Sequence, residues 1–216
     1  YGPLFAVHSL YFPVVLGGGH EVAWGTFQGV LEAAPAGARL GILNIDAHFD
    51  LRRPVDGPTS GTGFYQMAEA CRERGLPFRY QCLGIQRSGN TRALFERADR
   101  LGVQYYPAEA LHPTPAPGVG HAVRAFVDAS DLLYLSIDLD VFHAGCAPGV
   151  SAPNALGLLP GQVLPLLRSV VASGKVAAVD IAELNPAYDI DGRTARLAAA
   201  LLFEVLTQIK TVGQKS

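Results

Sequence analysis

Short apolar runs recur along this chain with helix-like segments between them, and three of the runs stop at a residue that can bind a cation. Such alternation builds a parallel sheet covered by helices on both faces, because parallel strands need crossover connections and lie buried on both sides. The strands expected are Phe12 to Leu16, Leu40 to Ile45, Arg79 to Leu83, Val103 to Tyr106, Leu132 to Ile137 and Val176 to Ile181, each rich in Val, Ile, Leu or Tyr. The helices expected are His20 to Ala33, Phe64 to Arg74, Thr91 to Leu101, Gly118 to Asp128, Pro160 to Ser173 and Thr194 to Lys210, with Asp191 or Thr194 capping the last. The fold class is therefore α/β, a three-layer arrangement with a parallel β-sheet flanked by helices. At 216 residues the chain is long enough to bury roughly 70 per cent of its unfolded surface in one core.

In open parallel sheets ligands bind beyond the C-terminal ends of the strands, so polar residues just after an apolar run carry the interest. Leu40 to Ile45 runs into Asp46-Ala47-His48-Phe49-Asp50. If the backbone stays extended there, alternation points Asp46, His48 and Asp50 to one side. Leu132 to Ile137 ends in Asp138-Leu139-Asp140, and Phe12 to Leu16 ends in Gly17-Gly18-Gly19-His20, where the glycines let the backbone turn sharply. The glycine run lacks the spacing of a dinucleotide fingerprint.

Four aspartates crowded at one place repel one another and need compensating positive charge. Two divalent cations neutralise them. Carboxylate oxygens mixed with two imidazoles suit Mn²⁺ better than zinc, which takes fewer ligands and more nitrogen or sulfur. A close pair of such ions can activate a water molecule at neutral pH. The candidate metal ligands are thus His20, Asp46, His48, Asp50, Asp138 and Asp140.

The formal net charge of −2 supplies no broad basic surface for a nucleic acid or an anionic membrane, which leaves small molecules as the expected partners. Cys71, Cys82 and Cys146 lie far apart without paired spacing, so they are expected to be reduced and the chain cytoplasmic. An apolar stretch, Leu4 to Phe12, follows Tyr1 almost at once, and no initiator Met precedes it.

Four motifs in register make the chain resemble the ureohydrolase superfamily of arginase, agmatinase and formimidoylglutamase, nearly end to end. They are Gly-Gly-Gly-His at 17 to 20, Asp-Ala-His-Phe-Asp at 46 to 50, Ser-Ile-Asp-Leu-Asp-Val at 136 to 141 and Asp-Ile-Ala-Glu-Leu-Asn-Pro at 180 to 186. The resemblance implies two Mn²⁺ ions, one held by His20, Asp46, Asp50 and Asp138 and the other by Asp46, His48, Asp138 and Asp140, with Asp46 and Asp138 bridging. His20 to Gly25, Phe49 to Arg52, Ser60-Gly61-Thr62 and Ala147 to Pro153 look most like the formimidoylglutamase branch. That likeness implies hydrolysis of N-formimidoyl-L-glutamate to L-glutamate and formamide, in histidine degradation. Glu183 matches the acidic residue that meets the cationic amidine or guanidine group, and Asp50 is the expected proton relay. Arg52 is a candidate for a substrate carboxylate and Ser60 for a further substrate contact. Arginase and agmatinase usually carry His at the position of Ser60, so the serine disfavours those readings.

The resemblance also implies a single ureohydrolase domain over residues 1 to 216, read as a fragment lacking the first strands of the family fold. In that case Phe12 to Leu16 becomes an uncovered sheet edge. Analogy with homologous folds adds a homo-oligomer as an expectation. Three other readings stand beside this one: an agmatinase- or guanidinobutyrase-type enzyme releasing urea, a metal-dependent phosphoesterase, and a non-catalytic binding protein that has kept the fold.

Overall fold

The structure is a computed structural model that describes residues 12–114 and 116–209. The expected stretch Leu4 to Phe12 falls almost wholly outside the described residues, as does Lys210, the expected end of the last helix. The six strands are β1 (Val14–Leu16), β2 (Leu40–Ile45), β3 (Tyr80–Ile85), β4 (Gln104–Pro107), β5 (Leu132–Asp138) and β6 (Val176–Ala182). All pair in parallel, in the order β1-β6-β5-β2-β3-β4. Every expected strand is present to within a few residues. Among the described residues β1 lies at one edge of this sheet.

Among the described residues five helices connect them and a sixth follows β6: α1 (Val22–Ala33), α2 (Gly63–Glu73), α3 (Arg92–Arg100), α4 (Pro117–Asp128), α5 (Pro160–Ala172) and α6 (Arg193–Gln208). Strand alternation sorts them into two layers. Leu43, Ile45, Leu135, Ile137, Val179 and Ile181 pack with residues of α4, α5 and α6. Ile42, Tyr80, Tyr134 and Ala178 point the other way, onto Phe27 of α1, Phe64 and Met67 of α2 and Leu94 of α3. Each large side chain so buried contributes about 1.5–3 kcal/mol relative to exposure. Among the described residues no helix is long and apolar enough to cross a membrane.

The cap of α6 differs from expectation. Asp191 and Gly192 take left-handed backbone at φ 55° and 64° and lead the chain into the helix. The orphan amides of Thr194 and Ala195 donate instead to the two carboxylate oxygens of Asp189, at 2.9 and 3.1 Å. Thr194 lies inside the first turn, where its Oγ1 accepts the Gly149 N–H at 2.7 Å.

Register is what places the site. Asn44 of β2 stands beside Ser136 of β5, and Ser136 beside Asp180 of β6. The C-terminal ends of β1, β6, β5 and β2 therefore lie side by side.

Candidate metal centre

Asp46 and Asp138 sit where the neighbouring strands β2 and β5 stop, and His20 follows β1, one strand further along beyond β6. Asp138 is the last residue of β5, and Asp46 follows β2, its backbone N–H donating to Leu83 O at 2.9 Å. His20 precedes α1, and its ring stands edge-on to Phe64 with centroids 5.3 Å apart. The glycines before it do not use left-handed backbone. Gly17 is needed for space, because a Cβ there would stand 2.8 Å from both methyls of Val22.

Simple alternation does not carry the Asp46 to Asp50 segment. β2 ends at Ile45, and Asp50 takes φ 49°, a left-handed turn that swings its carboxylate back toward His20. Asp140 likewise lies in a short 3₁₀ turn, Leu139–Val141, rather than on an extended strand.

Two foci result. In the first, His20 Nδ1 lies 3.2 Å from Asp46 Oδ2, 3.0 Å from Asp50 Oδ2 and 3.0 Å from Asp138 Oδ2. In the second, His48 Nδ1 lies 2.9 Å from Asp140 Oδ2 and 3.7 Å from Asp46 Oδ1. All six expected ligands are brought together, and Asp46 belongs to both foci. Asp138 groups with the first focus, and its Oδ1 accepts the Asp140 N–H at 2.8 Å while keeping one lone pair.

Hydrogen bonds fix the aim of Asp46. Its Oδ1 accepts the His48 N–H at 2.7 Å, and its Oδ2 accepts the Asn44 amide at 2.9 Å. One lone pair on each oxygen stays free.

Charge shows what the donors lack. Burial raises the carboxyl of Asp140 well above its ordinary value, with Asp138 adding repulsion, and raises Asp50 to about 6 with repulsion from Asp46. Burial also opposes the charging of His48, yet Asp140 and Asp46 outweigh it and push the imidazole up to about 11. Burial likewise opposes charge on His20, but Asp138, Asp46 and Asp50 raise it well above its ordinary value. Asp46 is driven up by burial and more strongly down by His20 and His48, ending below the usual carboxylate range. Without other cations, the two imidazoliums are the positive charge that these carboxylates hold on to.

The donors fit a pair of divalent cations. Among the described residues neither His20 Nδ1 nor Asp140 Oδ1 has a hydrogen-bond partner of good geometry. Two buried, orphaned donor atoms among converging oxygens are expected of metal ligands and are costly otherwise. One nitrogen with three oxygens, and one nitrogen with two, suit Mn²⁺-like ions.

Glu183 follows β6 at φ 67°, a conformation that costs a non-glycine residue about 1 kcal/mol or more. Its backbone N–H donates to Gly18 O at 2.6 Å, its Oε1 accepts the His20 N–H at 2.9 Å, and its Oε2 accepts the Ser151 hydroxyl at 2.7 Å. Among the described residues no ion pair engages it.

Arg52 and Ser60 share one loop. The Arg52 N–H donates to Gly61 O at 2.9 Å, and the guanidinium stem lies along Gly61. Arg52 is exposed and Ser60 half-buried, and among the described residues no hydrogen bond or ion pair joins either side chain to the two foci. A cleft of about 340 Å³ opens on the other side, beside His48, lined by Gln86, Ser88, Gly89, Asn154 and Leu156.

Residues not singled out from sequence also serve the site. Ser136 Oγ lies 2.8 Å from His20 Nε2, Asn44 holds Asp46, and Asp180 and Tyr134 stand behind Ser136. Ser136 and Asp180 belong to the motifs already noted, but their contacts arise from strand register, which no local pattern reveals.

The Arginase family model matches residues 5–207. The chain belongs to the arginase family. A formimidoylglutamase from Aeromonas salmonicida is 48% identical over 90% of this chain and 62% of its own length. The chain thus spans somewhat less than two thirds of such relatives. A solved formimidoylglutamase from Bacillus subtilis superposes with a TM-score of 0.86 at 24% identity, covering 98% of this chain and 65% of that one. A variant of Trypanosoma cruzi formiminoglutamase with Mn²⁺ gives a TM-score of 0.80 at 25% identity, over 92% of this chain and 65% of the other. The parallel sheet with flanking helices is therefore an arginase-type fold. Membership of the arginase family, together with the Asp and His cluster, implies a binuclear metal site.

Proposed function

We propose that this chain carries the dimanganese centre of a formimidoylglutamase, which hydrolyses N-formimidoyl-L-glutamate to L-glutamate and formamide in histidine degradation. The convergence of three carboxylates on His20 Nδ1 at 3.0–3.2 Å supports the chemistry. The 48% identity to the Aeromonas salmonicida formimidoylglutamase supports the substrate.

In this reading His20, Asp46, Asp50 and Asp138 would hold one Mn²⁺, and Asp46, His48, Asp138 and Asp140 would hold the other. The bound ions supply water activation and neutralise the four aspartates. Burial of Asp46, Asp138 and Asp140 excludes bulk water and strengthens every charge interaction nearby. Asp50, whose side chain is 12% exposed against 0% for Asp46, 3% for Asp138 and 5% for Asp140, is the carboxylate ligand most open to substrate and serves as the proton relay. Glu183 faces the cationic amidine, since each of its oxygens keeps a lone pair beyond the His20 and Ser151 bonds. The exposed fork of Arg52 takes a substrate carboxylate and Ser60 adds a neutral contact. The partner is a small amidine, self-association follows the analogy with related folds, and a cytoplasmic site suits the free cysteines.

The deciding experiment incubates Mn²⁺-loaded protein with N-formimidoyl-L-glutamate, arginine and agmatine in parallel. Formamide with glutamate is the expected product pair. Urea from arginine or agmatine, without turnover of N-formimidoyl-L-glutamate, overturns the substrate and favours a guanidino-acting enzyme.

A further inference from the structure

His20 is useful as a ligand only if Nδ1 is bare, and the residues behind the ring decide that. Nε2 lies 2.8 Å from Ser136 Oγ, in a place where His20 is 1% exposed. Ser136 Oγ in turn lies 2.5 Å from Asp180 Oδ1, and the Tyr134 hydroxyl meets Asp180 Oδ2. Asp180 is fully buried.

The direction of each proton follows from counting donors. A carboxylate only accepts, and each oxygen of Asp180 faces a hydroxyl. Ser136 has a single hydroxyl proton, which goes to Asp180, so its oxygen can only accept from His20. Nε2 must then carry a hydrogen in every state of the ring, so Nδ1, which faces Asp46, Asp50 and Asp138, is the nitrogen that gives up its proton when a cation binds. Among the described residues His48 has no comparable support: its side chain is 23% exposed, and a Cβ at Gly89 would meet its Nε2 at 3.0 Å.

We propose that Tyr134, Asp180 and Ser136 form a positioning relay that fixes His20 as the Nε2–H tautomer and so prepares the first metal position. The inference rests on the metal-centre reading above. It assigns no contact with substrate to the three residues. Partners of this kind typically alter metal affinity by about 10–100-fold.

Two readouts test it on the full chain. The first is Mn²⁺ affinity by calorimetry. The second is the ¹⁵N spectrum of histidine-labelled protein loaded with ¹¹³Cd²⁺, a diamagnetic probe. Wild-type protein is expected to show cadmium coupling at Nδ1 of His20 and a slowly exchanging Nε2–H. Asp180→Asn can donate to Ser136 and release its hydroxyl toward His20. It should weaken Mn²⁺ binding by about tenfold or more and lose the protected Nε2–H signal. Ser136→Ala removes the acceptor of the Nε2–H, so the protection of that proton should fall. Folded variants with wild-type Mn²⁺ affinity and an unchanged His20 signal overturn the relay while leaving the metal centre standing. Wild-type protein that takes up neither ion overturns both.

Discussion

The backbone N–H of His20 donates to the Glu183 carboxylate at 2.9 Å, so the residue proposed to meet the substrate cation also ties down the loop that presents a metal ligand. These two functions separate in mutants. Glu183→Gln keeps an oxygen for the His20 amide but loses the charge, so turnover should fall about 100-fold or more while Mn²⁺ binding persists. Glu183→Ala also orphans the amide, which costs about 1–3 kcal/mol in addition. Steady-state kinetics beside thermal melts distinguish the two. Equal activity of the Gln variant and wild type contradicts the role of the charge.

Asp138→Ala removes an oxygen that stands 3.0 Å from His20 Nδ1. Metal loading and turnover should both vanish. The metal-free fold should survive, because burial and the neighbouring Asp46 already disfavour the charge on Asp138. The expected signature is loss of the Mn²⁺-dependent rise in melting temperature, with the metal-free melting temperature little changed. Full activity with one ion or none contradicts this.

Much of the fold is legible in the sequence because each strand is a compact apolar run, and local composition alone marks where Leu40 to Ile45 and Leu132 to Ile137 stop. The ligand types are legible for the same reason, since a charged residue immediately after a buried strand needs a partner. The geometry between strands is not. Whether Ser136 meets Asp180 depends on the pairing of β5 with β6, whose residues lie 44 positions apart. Local backbone is not legible where it departs from ideal elements: Asp50 converges through a left-handed turn, and Asp189 caps α6 because Asp191 and Gly192 bend the chain ahead of it. Arg52 and Ser60 gain no contact with the foci among the described residues, since the sequence offered only their nearness to the ligand loop.

Gly157 should be intolerant of any side chain. A Cβ there would stand 2.4 Å from the Phe142 carbonyl carbon and 2.5 Å from the His143 nitrogen, both backbone atoms that cannot rotate away. The contact closes the loop after Asp140, where Phe142 bridges Leu158 and His143 bridges Asn154. Gly157→Ala should lower stability by about 1–3 kcal/mol. Gly161→Ala, in the open first turn of α5, should be neutral or stabilising by up to about 1 kcal/mol. Urea midpoints for the two variants give the comparison, and a Gly157→Ala variant as stable as Gly161→Ala removes the argument.

Metal uptake should release protons. In the metal-free chain burial opposes charge on His48, but Asp140 and Asp46 hold its imidazole up to about 11, and Asp138, Asp46 and Asp50 keep His20 raised as well. Both rings are therefore charged at neutral pH and must each give up a proton to coordinate. Affinity should weaken by about tenfold per ion for each pH unit lowered, and further below about 6, where Asp50 takes up a proton. Stability of the metal-free chain runs the opposite way. A folded pKa above the ordinary value of 6.5 for His48 means stabilisation that is complete below 6.5 and lost as pH climbs toward about 11. Metal-free melting temperatures should thus fall on the alkaline side, where Mn²⁺ binds best. Calorimetric titrations at pH 7 in buffers of different ionisation enthalpy should report about two protons released as both ions load. A binding enthalpy that does not change with buffer would mean that the imidazoles are neutral before the ions arrive.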